Sequence, residues 1–444
     1  MIGGSDRQAS SHRAPRVPRP KRRSRFRALA AAGGGAVLAS ALLAACGTSS
    51  ASTGPVTLNF YFYPDGSGAT QQQIDNCNKS NGGKYTISYQ QLPAAADGQR
   101  QQMVRRLAAH DNTMDILGLD VTWEAEFAQA GWVEPWTGAN KAAAEKGTLP
   151  AALDTALWKG KLVAVPDNSN TQLLWYNSAL VKTPPKTWAE MFADAAKLKK
   201  EGKPHYIEIQ GAQYEGATVW FNTMVASEGG SILNPTATKV TLGNPAVKAL
   251  SVMHQLAIGP GGDPSLDVQM ENQNRLAMEA GQAAFQLNYP FVYPAMKLDN
   301  PKLFKTFKWA LYPEVTPGVP AKVTIGGTDL AVSRYSQHKA LAFQAALCIR
   351  NRANQIIGAN VGGVPPTLTS LYSDPALFKY YPFHADILSA LEHASVRPKT
   401  PVYQVVSIDI SHLVSPASGI SPTGTEKSMV SQLNDALQSK GLVP

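Results

Sequence analysis

Apolar positions recur along the chain with two periods, and the switches between them mark alternating strands and helices. Val56-Thr57-Leu58-Asn59-Phe60-Tyr61-Phe62-Tyr63 is rich in β-branched and aromatic residues and stops at the turn formers Pro64-Asp65-Gly66, which predicts a strand. Tyr85–Leu92 sets Tyr85, Ile87 and Tyr89 against Thr86, Ser88 and Gln90, the alternation of a half-buried strand. Between them, Ala69–Lys79 lacks Gly and Pro and suits a helix. Gln99–His110, with Met103, Val104, Leu107 and Ala108 on one side, predicts a second helix, and Met114–Leu119 a third strand ending at Asp120. Lys161–Pro166 and Leu173–Tyr176 read as strands separated by the polar stretch Asp167–Thr171. Thr187 is placed as the N-cap of a helix running to Lys200. Helices are also predicted at Val219–Ser227, Pro245–Ala257, Asn272–Ala280, Gln337–Arg350 and Pro375–Leu391. A last helix, Thr425–Lys440, follows the loop Ser415–Gly424, and Ala283–Leu287 and Lys322–Val332 complete the strands. This alternation predicts a parallel or mixed α/β protein, and 444 residues exceed what one core organises, so two lobes are expected.

The charge balance changes how the first residues are read. The chain carries a formal +9, which raises the question of a nucleic-acid partner. Residues 1–45 hold nine Lys or Arg against Asp6, a net +8, so everything from Cys46 onward carries only +1. The folded part is near neutral, and no nucleic-acid partner is expected. The basic prefix precedes Ala28–Ala45, an uncharged stretch of mostly Ala, Gly and Leu, the order of a secretory signal. Gly33-Gly34-Gly35 makes it a poor permanent membrane helix. Leu43-Ala44-Ala45-Cys46 resembles the bacterial lipobox, which implies cleavage before Cys46 and lipid on its sulfur. Residues 1–45 are thus read as a signal peptide and 46–55 as a lipidated, flexible tether, with an ordinary signal peptide and a chance cysteine as the alternative. Cys77 and Cys348 then remain, too far apart in sequence for a CxxC metal site. An even pair in an oxidising compartment favours a disulfide over two buried thiols.

Catalytic signatures are missing. The chain has no GxSxG, GxxxxGK[ST], GxGxxG or HExxH, and its eight histidines fall at no metal-ligand spacing. The expectation is a binding protein without metal or cofactor, although a glycosidase's two carboxylates come from distant positions and stay open. What the chain offers is eight Trp and fifteen Tyr, many beside Asn, Gln or Asp, as in Trp220-Phe221-Asn222 and Asn288-Tyr289-Pro290. Sugars need this mixture, because their C–H faces stack on rings and their hydroxyls want fixed donors and acceptors. Taken singly, each such pair reads better as core plus loop cap. Asp65, Asp120 and Asn170 each follow a predicted strand, and α/β sheets hold ligands beyond the carboxyl ends of strands, so these three are expected to converge on one cleft.

A family resemblance arrives with Lys161-Leu-Val-Ala-Val-Pro166, Asn170-Thr-Gln-Leu-Leu-Trp-Tyr-Asn177 and Pro184-Pro-Lys-Thr-Trp188. Together with Met278–Phe285, Ile325–Val332 and Lys339–Arg350, these stretches resemble, in order and spacing, the family 1 extracellular solute-binding proteins of ABC importers. Within that family Leu119–Phe127, Tyr214–Gly216, Val219–Asn222 and Val396–Tyr403 are similar to trehalose-binding lipoproteins of mycobacterial importers. The resemblance implies a two-lobed, periplasmic-binding-protein-like (flytrap) α/β fold with crossover hinge segments. Lobe 1 would be residues 56–165 plus 322–371, and lobe 2 residues 166–321 plus 372–444. By position it implies Asp120, Asn170, Glu271, Gly327 and Arg397 as sugar contacts and Tyr289 as an aromatic wall, where those lipoproteins carry Trp. It also implies that Cys77 and Cys348 pair. Each contact has a plainer reading: a helix cap for Asp120, a solvated helix residue for Glu271, a structural ion pair for Arg397, core packing for Tyr289, and a site too tight for any side chain at Gly327.

The implied function is capture of a neutral disaccharide, trehalose first, by a monomer tethered through Cys46 to the outer face of the cell membrane. An ABC permease and its ATPase would receive the sugar. Another saccharide, a glycerol phosphodiester, a secreted glycoside hydrolase and a cell-wall adhesion lipoprotein stand as alternatives.

Overall fold

The computed structural model describes residues 54–440. The expectations for the signal peptide, for Cys46 and for most of the tether lie outside the described residues. Strands β1 (Val56–Phe62), β2 (Tyr85–Gln91), β3 (Ile116–Asp120) and β4 (Val165–Asn170) alternate with helices such as Ala69–Ser80 and Ala96–Ala108. Next come β5 (Leu173–Asn177), β6 (Tyr206–Glu208), β7 (Ala283–Asn288), β8 (Phe307–Ala310) and β9 (Gly326–Val332). They form two mixed sheets, ordered β2-β1-β3-β9-β4 and β8-β5-β7-β6. In the first, β1 runs parallel to β2 and β3, while β9 returns antiparallel between β3 and β4. The carboxyl ends of β3 and β4 and the amino end of β9 therefore share one edge.

Each sheet has its own core. Leu58, Phe60 and Phe62 of β1 pack with Ile116, Leu117 and Leu119 of β3 under the flanking helices. In the second lobe Leu174, Phe285 and Leu287 pack with Trp188, Trp220 and Phe221, and the helices Tyr403–Val414 and Pro422–Leu437 close over this core. A third cluster holds Leu149 and, from the short helix Pro150–Thr155 that follows it, Ala152, together with Trp175, Tyr372, Phe383 and Leu391. Cys77 and Cys348 form a disulfide, joining the helix Ala69–Ser80 to the helix Lys339–Ile349. Thr187 caps the helix Trp188–Lys200 by accepting from the Glu190 N–H at 3.1 Å.

Three expectations are corrected. Asp167–Thr171 is not a connecting loop: the β4 strand runs to Asn170, and Asp167, Asn168 and Ser169 are buried. Their backbone is paired on one side with β9 and covered on the other by Pro365 and Pro366, so polar residues sit inside a sheet. The lobe boundary drawn between 165 and 166 thus falls within a strand of the first sheet. Lys322–Ile325 is not strand; there Lys322 and Thr324 hang their backbone N–H groups on Ser227 and Thr223 of the second lobe, and β9 starts at Gly326. The helix expected over Pro375–Leu391 is two pieces, Pro375–Phe378 and His384–Glu392, because Pro382 cannot continue the ladder. The chain crosses between the lobes at 170–173, 323–326 and 367–372.

Candidate functional site

The shared edge of the first sheet faces the carboxyl end of β7 across a cleft of about 820 Å³. Asp65, Asp120, Asn170, Glu271, Tyr289, Gly327 and Arg397 all line it. Residues far apart in sequence converge because strand ends and helix starts from both lobes meet here.

From the first lobe, Asp120 ends β3 and Asn170 ends β4. Asp120 Oδ1 accepts from Thr122 N at 3.1 Å and Thr122 Oγ1 at 2.8 Å, ahead of the helix Glu124–Gln129 and not as its cap, and also from Arg397 Nη2 at 3.2 Å. Asp65 reaches the cleft, but its carboxylate accepts from Ser67 N at 2.8 Å and Thr70 N at 2.7 Å, capping the helix Ala69–Ser80. Gly327 carries φ +132, and a Cβ there would stand 2.3 Å from the Asn168 carbonyl oxygen. The tight-backbone reading of Gly327 therefore holds alongside its place on the wall.

Arg397 is the hub. Its side chain is 3% exposed, and its guanidinium donates to Glu215 as well as to Asp120, bridging second and first lobes. Glu215 begins the helix Glu215–Ser227 and also accepts from Ser407 and, at 2.5 Å, from the Tyr403 hydroxyl. Burial pushes the Glu215 carboxyl up against the opposing pull of Arg397. For Arg397 burial works toward neutrality, but Asp120, Tyr403 and Glu215 hold its pKa well above the ordinary value. Arg397 Nε is buried with no partner, leaving a donor in the wall.

On the second lobe Glu271 starts the helix Glu271–Glu279. An amide chain holds it: Asn288 Nδ2 donates to the Glu271 carbonyl at 3.0 Å and to Asn274, and Tyr289 N donates to Asn288 Oδ1 at 2.8 Å. Glu271 forms no ion pair, and burial raises its carboxyl pKa. The buried Tyr214 hydroxyl, unpartnered, has Glu271 as its main charged neighbour. Tyr63, Tyr214, Tyr289 and Phe291 supply ring faces, and the cleft sets six carboxylates against the two guanidiniums of Arg275 and Arg397.

Sequence reasoning missed Glu215, Tyr214, Tyr403 and Ser407 as parts of the site. The available signal was chemical: an arginine fixed between Val396 and Pro398 in an apolar setting needs a buried acid. Among the described residues no group of His, Cys, Asp or Glu is arranged to hold a metal ion.

Residues 63–346 match the family described as bacterial extracellular solute-binding protein. A probable ABC transporter-binding protein of Deinococcus radiodurans is 29% identical over 327 residues, 71% of this chain and 77% of that protein. A putative binding protein of Brucella abortus is 24% identical over 291 residues, 64% and 69% of the two chains. Maltose-bound MalE3 of T. maritima superposes with a TM-score of 0.79 at 27% identity, covering 85% of this chain and 99% of the other. The tagatose-bound ABC transporter solute-binding protein of Thermotoga lettingae, 21% identical with a TM-score of 0.76 over 86% and 100%, shares the fold. The Deinococcus and Brucella relatives are described as binding proteins and the Thermotoga lettingae structure as a solute-binding protein.

Proposed function

The chain belongs to the bacterial extracellular solute-binding proteins, and we propose that it captures trehalose or a closely related disaccharide for an ABC importer. The observation that carries this reading is the charge and shape of the cleft. Its volume lies in the range of small-molecule sites, its walls alternate rings with fixed acceptors, and acids outnumber bases. Phosphate and carboxylate ligands are repelled by that field, whereas hydroxyls find charged acceptors, which make the stronger bonds. Asp120 and Asn170 approach from one lobe, and Glu271 and Tyr289 from the other. A sugar gripped by both favours the closed arrangement, so its binding energy drives closure. That MalE3 of T. maritima is maltose-bound supports a disaccharide.

Delivery follows from the same reading. Lipid on Cys46 would keep the protein at the outer face of the membrane as a monomer, and the closed form would dock on the permease whose ATPase drives uptake. Among the described residues no helix is long and apolar enough to cross a membrane. The N-terminal peptide of the exported protein should begin at a diacylglycerol-modified Cys46; an unmodified thiol there overturns the anchor.

Calorimetric titration with trehalose, maltose, sucrose, glucose and glycerophosphocholine tests the cargo. The expected order puts trehalose first and shows no heat with the phosphodiester. A different sugar in first place moves the specificity; binding of the phosphodiester alone contradicts the acidic-cleft argument.

A further inference from the structure

The residues of β4 beyond its bulge alternate in what they face. Asn168 and Asn170 line the cleft, while Ser169 between them lines a second cavity of about 200 Å³. Ile325, just before the cleft-lining pair Gly326 and Gly327, and Thr369, just beyond Pro365 and Pro366, line that second cavity too. All three chain crossings therefore pass between the two cavities, one in front of the hinge and one behind it. The rear cavity is closed on one side by Leu149 and Ala152, beside the first sheet, and on the other by Leu391 at the end of the helix His384–Glu392.

Its chemistry is specific. Leu149, Ala152, Ile325 and Leu391 make an apolar floor, each at most 4% exposed. Ser169, 1% exposed, turns a hydroxyl with no partner into that floor. A buried hydroxyl without a partner is uncommon, because it forfeits its hydrogen bonds with water. Glu392 stands at the exposed mouth. Cavities of about 150 Å³ hold benzene, so this one suits a compact molecule of roughly six to eight heavy atoms.

We propose that the cavity behind the hinge is an effector site for a compact neutral alcohol, whose hydrocarbon body fills the apolar floor and whose hydroxyl pairs with Ser169. Rotation about the crossings that narrows the front cleft widens the rear. An occupant there favours the closed form, and by linkage closure favours the occupant. The site does not depend on which solute the cleft holds.

Cyclohexanol is the probe, titrated into the purified protein and followed by ligand-observed NMR. One saturable site is expected, weakened about tenfold in Ser169→Ala for the lost hydrogen bond and abolished in Ala152→Leu, which fills the floor. Cyclohexanecarboxylate should not bind, because Glu392 repels it. No saturation by cyclohexanol, or undiminished binding in Ala152→Leu, overturns the site; should that variant fail to fold, unchanged affinity in Ser169→Ala does so. Small-angle scattering without sugar reads the coupling: a smaller radius of gyration at saturating cyclohexanol is expected, and an unchanged one refutes the effector role. Failure of trehalose to bind would leave each of these outcomes readable.

Discussion

Arg397 shows how single residues set the properties of the cleft. A buried guanidinium is tolerable only where its charge is met, and Asp120 and Glu215 meet it from opposite lobes. Arg397→Met leaves those two acids facing each other without a cation, and denaturant unfolding should show a loss of about 3–5 kcal/mol. Glu271 is different, because it forms no ion pair among the described residues and lines the cleft. Glu271→Gln should leave unfolding within about 0.5 kcal/mol of the parent yet weaken sugar binding about tenfold or more in calorimetry. Its raised pKa also sets a sign. Hydroxyls donate to the ionised form, so affinity should fall as pH drops through the range where Glu271 takes a proton, and the Gln variant should lose that dependence. Tyr289→Trp, with its larger ring, should tighten binding severalfold; no change would mean the ring does not stack on the sugar. The sequence made Asp120, Asn170 and Asp65 legible as strand-end residues. Glu271, Tyr289, Gly327 and Arg397 came through family likeness. Glu215 went unseen because nothing local marks an acid at a helix start as the partner of an arginine nearly two hundred residues away.

The strands and helices that were read correctly have simple patterns: β2 and the helix Trp188–Lys200 each bury one face against a single lobe core, and β1 is an apolar run buried at Leu58, Phe60, Tyr61 and Phe62. β4 broke that rule, since its polar residues are satisfied inside the sheet by β9 and by the Pro365-Pro366 segment, an arrangement no window of sequence reveals. Below β3 and β9 lies another feature of this kind. Glu124 and Asp329 are buried together; burial pushes Asp329 up to about 7, and burial plus the charge of Asp329 lifts Glu124 well above the carboxylate range. Burial likewise brings Asp167 to about 6 and Glu208 to about 8. Carboxyls whose folded pKa exceeds the unfolded value stabilise below the latter, and that stabilisation is lost as pH rises through the folded pKa. Thermal unfolding should therefore shift to lower temperature between about pH 5 and about pH 8, and Glu124→Gln, whose amide can donate to Asp329, should flatten part of that slope. A melting temperature that rises over this window would contradict the assignment. The disulfide Cys77–Cys348 spans 271 residues and pins two helices of the first lobe, so replacing both cysteines by Ser should lower stability by about 2–5 kcal/mol without changing sugar affinity at low temperature.

The described residues form two lobes joined by three crossings and one clasp. The segment from Arg397 to Gln404 reaches from the second lobe to three acids of the first: Arg397 to Asp120, Lys399 to Asp154 at 2.8 Å, and Gln404 to Asp97 at 2.8 Å. The last two pairs lie outside the cleft, so Lys399→Ala with Gln404→Ala should weaken sugar binding only about two- to fivefold, by easing the closed form apart. Two lobes were foreseeable from length and from the alternation of strands and helices. Where the chain first leaves the first sheet was not, because that crossing is set by pairing between β4 and β9, which lie more than 150 residues apart. The central claim is that a neutral disaccharide is held by both lobes at once, and calorimetric titration of trehalose into the parent, Asp120→Ala and Glu271→Gln proteins tests it most directly. One site in the parent, weakened at least about tenfold by either change, is the predicted result. No binding to the parent, or binding indifferent to one of the two lobes, would contradict it.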